Sequence, residues 1–334
     1  MTRARTLLAA AVAAVLTLLV APPPAQAAGP EYVALGDSYA SGTGTRSYLA
    51  DGTSCQRSTY AYPSLIAAAS GYALNFRACS GARIADVAAT QLPAVTATTS
   101  YVTVSVGGND AGFSDVLTTC ALPWWASNCD RAINGAQTYI NGSMPGQLAT
   151  LYAAIRARAP SARVVVVGYP RIFNGEDCNA ATWFSPAEET RLNQTADLIN
   201  SRTAAAAAAA GFAFADPTAP FVGHAVCDSP EWLNGLSYPI SESYHPNRSG
   251  HAAGYTPVVS PVLTGALVRV GPGVLATARG DAADQAALQR SYAASDAGIR
   301  PETVRAPDMR SPQVRAAAQR HGIDLDRWLA RRGL

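Results

Sequence analysis

The strongest constraint on the fold is a series of short apolar strands separated by helix-sized segments. Residues 101–106 read YVTVSV and residues 163–167 read RVVVV. Both are β-branched and lack the polar alternation of a half-exposed strand, so both faces should be covered. Residues 31–35, 73–76 and 212–215 give three further short strands. Helices are expected over 60–69, 147–157 and 249–268. A capping box, Ser185-Pro186-Ala187-Glu188, should open another helix running to about residue 210. Strands alternating with helices predict an α/β fold, a three-layer α/β/α sandwich on a central parallel sheet. In such sheets ligands bind beyond the carboxyl ends of the strands.

Composition agrees with a packed domain. Hydrophobic residues make up 49% and charged residues 14% of the 334-residue chain, which argues against disorder. The start of the chain has the pattern of an export signal. Arg3 and Arg5 precede an uncharged apolar run over 7–20, and Ala25-Gln26-Ala27 supplies small residues for cleavage. The run is short of the roughly 20 residues needed to span a bilayer, and Pro22-Pro23-Pro24 follows it. The reading is therefore a signal peptide over 1–27, a secreted protein and no stable membrane insertion.

Without residues 1–27 the chain carries 23 basic and 23 acidic residues. That balance offers no electrostatic case for a nucleic-acid partner. The six cysteines, Cys55, Cys79, Cys120, Cys129, Cys178 and Cys227, are even in number, as expected of an exported protein. None has CxxC spacing, so neither a zinc cluster nor a thioredoxin-like site is expected; with no HExxH and no dense ligand cluster, no metal is expected, and no cofactor is called for. Six cysteines permit 15 pairings, of which the sequential one is the simplest.

Charge density nearly doubles after about residue 270. Residues 271–334 hold ten Arg and seven acids, and Gly271-Pro272-Gly273 marks the break. The domain reading is 28–270 for the main unit and 271–334 for an Ala/Arg-rich extension, docked on it or weakly folded, with helix-like stretches over 281–292 and 314–329.

Two groups of polar residues fall where predicted strands stop. Ser38 follows Gly36-Asp37 after the first strand. Asn109 follows Gly107-Gly108 after the third, where glycines permit close backbone approach and an amide can donate to developing negative charge. Gly81 follows Cys79-Ser80 after the second strand, and its N–H is a second candidate donor. Of four histidines, His245 stands before Pro246, which keeps it out of a regular helix. A GxSxG elbow is absent, because Ala40 stands where its last Gly would be. Each group alone also reads as ordinary turn chemistry.

Taken together and in order, Gly36-Asp37-Ser38, Ala78-Cys79-Ser80-Gly81-Ala82, Gly107-Gly108-Asn109-Asp110 and His245-Pro246 with Gly250-His251 resemble the four sequence blocks of SGNH (GDSL-type) hydrolases. The resemblance covers about 31–268 and is nearest to secreted bacterial lipases and esterases. It implies a flavodoxin-like α/β sandwich, three sequential disulfides, and hydrolysis of lipid-like or alkyl esters. It also implies roles: Ser38 as nucleophile and backbone donor, Gly81 and Asn109 completing the oxyanion hole, His245 as general base. Many members carry Asp three residues before the His. Here that position is Glu242, whose side chain or own backbone carbonyl would orient His245. Trp124 and Trp125, in a cysteine-bounded loop, are candidate substrate contacts or core caps. A monomer acting on a small-molecule or lipid ester is expected. Polysaccharide deacetylation and acyl transfer use the same residues. A non-catalytic secreted binding protein of this fold would be expected to lack Ser38, Asn109 or His245, and all are present.

Overall fold

The computed structural model describes residues 29–333, so the export-signal reading of 1–27 lies outside the described residues. Five strands form one parallel sheet in the order β2-β1-β3-β4-β5. They are β1 (Glu31–Gly36), β2 (Ala73–Phe76), β3 (Tyr101–Ser105), β4 (Arg163–Val167) and β5 (Ala213–Ala215). The register sets Val33 opposite Val102 and Val102 opposite Val164. Successive β4 residues Val164, Val165, Val166 and Val167 are all buried. Since neighbours on a strand point to opposite faces, both faces of the sheet are covered.

The covering helices follow from local signals. α2 (Tyr62–Ser70) carries Pro63 in its first turn and is closed by Gly71, where φ is +67°. α4 (Phe113–Cys120), α5 (Cys129–Gly142), α6 (Met144–Arg158) and α7 (Pro186–Ala209) pack on one another. In α6, Leu148, Leu151, Tyr152 and Ile155 recur at helical spacing and are all buried. α7 opens with the expected capping box: Ser185 N donates to Glu188 Oε2 at 2.8 Å. α8 (Thr256–Thr264) packs on α2, β4 and β5. Two short turns, α1 (Ser38–Ser41) and α3 (Ile84–Asp86), follow β1 and β2.

Several expectations on elements are revised. The helix expected over 249–268 is a π-helical turn, Gly250–Tyr255, followed by the shorter α8. Both α4 and α5 lie where no helix was expected. The extension is helical and firmly docked: α9 (Pro272–Gly280), α10 (Ala282–Arg290), α11 (Ala293–Asp296), α12 (Pro312–Arg320) and α13 (Leu325–Ala330). α10 covers the exposed edge of β2, a place where an unpaired strand invites aggregation. There Gln285 Nε2 donates to Leu74 O at 2.9 Å. Asp296 is buried between two buried guanidinium groups, 2.5 Å from Arg57 Nη2 and 2.7 Å from Arg77 Nη2.

The strand order places the site. The chain leaves β1 to one side for β2 and crosses to the other side for β3, so β1 and β3 form the switch point of the sheet. A crevice opens beyond their carboxyl ends, at Gly36 and Ser105.

Candidate active site

Three loops at the carboxyl ends of β1, β2 and β3 converge on one crevice. The first is shaped by Gly36, whose φ is +136°. A side chain there would collide with the Ser105 carbonyl oxygen on the neighbouring strand. Asp37 N donates to that same oxygen at 2.9 Å. Asp37 then caps α1, accepting Tyr39 N at 3.0 Å, so Ser38 sits at the first position of a tight turn. Gly42, with φ +99°, closes it.

The second loop is tied to the first, since Cys79 N donates to Gly36 O at 3.0 Å. The Cys55–Cys79 disulfide holds it, and Gly81 takes a positive φ of +85°. The third loop carries Asn109, whose Nδ2 donates to Ala82 O at 2.9 Å. That bond consumes one amide hydrogen and leaves the second free. Asp110 accepts Ile84 N at 3.0 Å and ties the second and third loops again.

His245 reaches Ser38 from a fourth segment. Asn234 N donates to His245 O at 3.0 Å and Tyr244 N donates to Asn234 O at 2.9 Å, a two-way pairing that fixes the loop. His245 Nε2 lies 2.8 Å from Ser38 Oγ, and Nδ1 lies 2.9 Å from Ser243 O. A carbonyl can only accept, so Nδ1 carries the hydrogen and Nε2 is left as the acceptor for the Ser38 hydroxyl. Burial lowers the His245 imidazole to about 4, opposed by the bond to Ser243. The ring is therefore neutral at neutral pH.

This corrects the expectation for Glu242. Its carboxylate turns away, accepting the Tyr48 hydroxyl at 2.6 Å with Arg46 3.5 Å distant. Its carbonyl accepts Asn234 Nδ2 at 3.1 Å. Neither group touches His245. The backbone carbonyl that does belongs to the next residue, Ser243.

Trp124 and Trp125 are likewise not in the crevice. Trp125 is 3% exposed and packs edge-on to Trp328 in a cluster with Met309, Val314 and Leu329 of the extension. Trp124 is 71% exposed and meets His321, also of the extension. Both therefore pack against the extension rather than the crevice, and only Trp125 is buried. The six cysteines pair sequentially: Cys55–Cys79, Cys120–Cys129 and Cys178–Cys227.

Beside Ser38 and Asn109 opens an apolar cavity of about 80 Å³. Phe113, Val116, Leu117, Ile140, Leu192 and Ile199 line its depth. α4, α5 and α7 supply these side chains, and nothing in the sequence linked them to Ser38. A further buried residue, Tyr169 on the loop after β4, joins two of the site loops. Its hydroxyl is 2.6 Å from Asp37 Oδ2 and accepts Gly108 N at 3.2 Å. Burial raises Asp37 to about 7, opposed by this bond and by Tyr39 N. Among the described residues no helix is long and apolar enough to cross a membrane.

The model of the GDSL-like Lipase/Acylhydrolase family matches residues 34–253. A lipase of Streptomyces rimosus is 47% identical over 232 residues, covering 69% of this chain and 85% of the relative. Lipase 1 of Streptomyces coelicolor is 44% identical over 243 residues, covering 71% and 89%. The crystal structure of the extracellular lipase of Streptomyces rimosus superposes with a TM-score of 0.67 at 45% identity, covering 70% of this chain and all of that one. Phospholipase A1 of Streptomyces albidoflavus gives 0.66 at 44%, covering 70% and 98%. The chain belongs to the GDSL-like lipase/acylhydrolase family and is an ester hydrolase.

Proposed function

We propose that the protein is a secreted, monomeric serine esterase or lipase that cleaves carboxylic esters through an acyl-enzyme on Ser38. The observation that carries this reading is the unbroken line from Ser38 Oγ to His245 Nε2 and from Nδ1 to the Ser243 carbonyl. His245 takes the Ser38 proton as Oγ attacks the ester carbon. The oxyanion forms between the Ser38 and Gly81 N–H groups and the free hydrogen of Asn109 Nδ2. The tetrahedral intermediate collapses, and Nε2–H passes its proton to the departing alcohol. Water, deprotonated by the same nitrogen, then frees the acid and restores Ser38.

Three further points support the rest. The cavity beside Ser38 is apolar, which suits an alkyl acyl chain rather than a sugar. Three disulfides fit an oxidising compartment, and a close relative is described as extracellular. The signal pattern over 1–27 completes the case for secretion.

The test is hydrolysis of p-nitrophenyl esters from acetate to palmitate by the protein and by Ser38→Ala. Turnover should fall by about 10⁴–10⁶-fold in the variant. A folded Ser38→Ala variant that kept full turnover would overturn the assignment.

A further inference from the structure

The extension does more than shield β2. Between α11 and α12 it runs as an irregular strap, residues 299–305, which lies against the second site loop and α4. At one end Ser54 Oγ donates to Ile299 O at 3.3 Å. The strap then presses on the second site loop. A side chain at Gly81 would collide with the Arg300 carbonyl oxygen and lie 2.9 Å from Pro301 Cα. Glu302 accepts Arg83 Nη2 at 2.6 Å and Nε at 3.0 Å. At the far end Arg305 N donates to Thr118 Oγ1 at 3.0 Å on α4, the helix that supplies Phe113, Val116 and Leu117 to the cavity.

So the strap spans from the oxyanion-side loop to the wall of the acyl cavity. Ile299 and Val304 are buried in the main core. Its ends are held by Asp296, between Arg57 and Arg77, and by the Trp125 cluster. Ser38, Asn109 and His245, on the loops beside it, are only 6%, 5% and 3% exposed. The cavity of about 80 Å³ is well below the roughly 300–1,000 Å³ of sites that bury large ligands. The family model ends at residue 253, and all of the strap lies beyond it.

We propose that residues 299–305 are a specificity-determining strap that screens esters by size, admitting short acyl groups to Ser38 and excluding long ones while it is seated. The inference rests on the serine-esterase reading above. A long acyl chain binds only the displaced state, so its kcat/KM is scaled by the small fraction of molecules in which the strap has moved. A short ester escapes that penalty.

The test compares p-nitrophenyl decanoate with p-nitrophenyl acetate on the full chain and two variants. Val304→Asp places a charge in the strap's buried anchor. The decanoate-to-acetate ratio of kcat/KM should rise about tenfold or more as the displaced fraction grows. Glu302→Gln breaks only a part-exposed ion pair, so it folds even if Val304→Asp does not, and it should raise the ratio by about threefold. An unchanged ratio in folded variants overturns the proposal, because the strap then screens nothing. A lowered ratio also overturns it, since the strap would then build the acyl site. Acetate hydrolysis retained by Ser38→Ala would instead refute the serine mechanism. The ratio reports on the strap independently, because both esters meet the same protein.

Discussion

Tyr169 and Asp37 share a hydrogen bond of 2.6 Å behind the nucleophile turn. Asp37 caps that turn through Tyr39 N, and the same Tyr169 oxygen accepts Gly108 N from the loop that carries Asn109. One hydroxyl therefore sets the distance between the loop holding Ser38 and the loop holding Asn109. Tyr169→Phe would leave a buried carboxylate oxygen and a buried N–H without this partner. The expected cost is about 1–3 kcal/mol in unfolding free energy. Misplacement of Asn109 should also lower kcat by about tenfold or more with little change in KM. Denaturant unfolding and steady-state kinetics on the variant check both.

The bond from His245 Nδ1 to the Ser243 carbonyl separates two accounts of how the imidazole is oriented. A backbone carbonyl cannot be removed by a side-chain change. Glu242→Gln keeps an acceptor for the Tyr48 hydroxyl and does not touch His245. Its kcat should stay within about threefold of the parent, whereas loss of a true orienting carboxylate costs about 10⁴-fold. A large fall in kcat with an intact fold would show that the carboxylate reaches the base after all.

Removing one oxyanion donor gives a third expectation. Asn109→Ala should lower kcat by about 10²–10³-fold while leaving the Ser38–His245 pair in place. It also removes the bond to Ala82 O. A pairing control is therefore the rate of Ser38 modification by a sulfonyl fluoride, which should fall far less than ester turnover.

The pH profile follows from burial. The His245 imidazole is held down to about 4, below its ordinary 6.5. Catalysis needs it neutral, so kcat/KM should be flat through pH 6 and fall only as pH drops through about 4–5. The same depression favours folding above the unfolded value, and that contribution is lost as pH falls from 6.5 toward 4. An acid limb centred at 6.5 in kcat/KM would contradict the buried, neutral imidazole.

Asp296 offers a stability test away from the chemistry. It lies between Arg57 and Arg77, all three buried. Asp296→Ala would leave two buried cations short of a partner, and Arg57 would keep Asp51 at 2.8 Å as its acidic partner. Destabilisation by about 3–5 kcal/mol is expected. Thermal unfolding should show a large fall in midpoint.

What the sequence reveals depends on how local the signal is. Strands β3 and β4 are legible because a β-branched run has little other use. Ser185 and Glu188 announce α7 because both halves of the box lie within four residues. Ser38, Gly81, Asn109 and His245 are legible as a set because the first three follow strand ends and His245 stands before a proline. The orienting role of Ser243 is not, since any residue has a carbonyl and only the loop geometry selects one. Tyr169, 132 residues from Asp37, and the apolar lining from α4, α5 and α7 depend on tertiary packing. The helix α5 could have been found from Ile133, Ala136 and Ile140 at helical spacing, despite its Asn, Gly and Thr residues. Trp124 and Trp125 mislead because an adjacent aromatic pair looks like a binding surface. Its partners, Trp328 and His321, are about two hundred residues away, in a segment whose docking no local pattern marks.

The central claim is that Ser38 is the nucleophile activated by His245. It is tested most directly by treating the intact protein with a fluorophosphonate and locating the adduct by peptide mass spectrometry. The account predicts a single covalent adduct on Ser38 with loss of fluoride, complete loss of ester turnover, and no adduct in Ser38→Ala or, at the same exposure, in His245→Ala. An adduct on another residue, or full turnover with Ser38 modified, would contradict it.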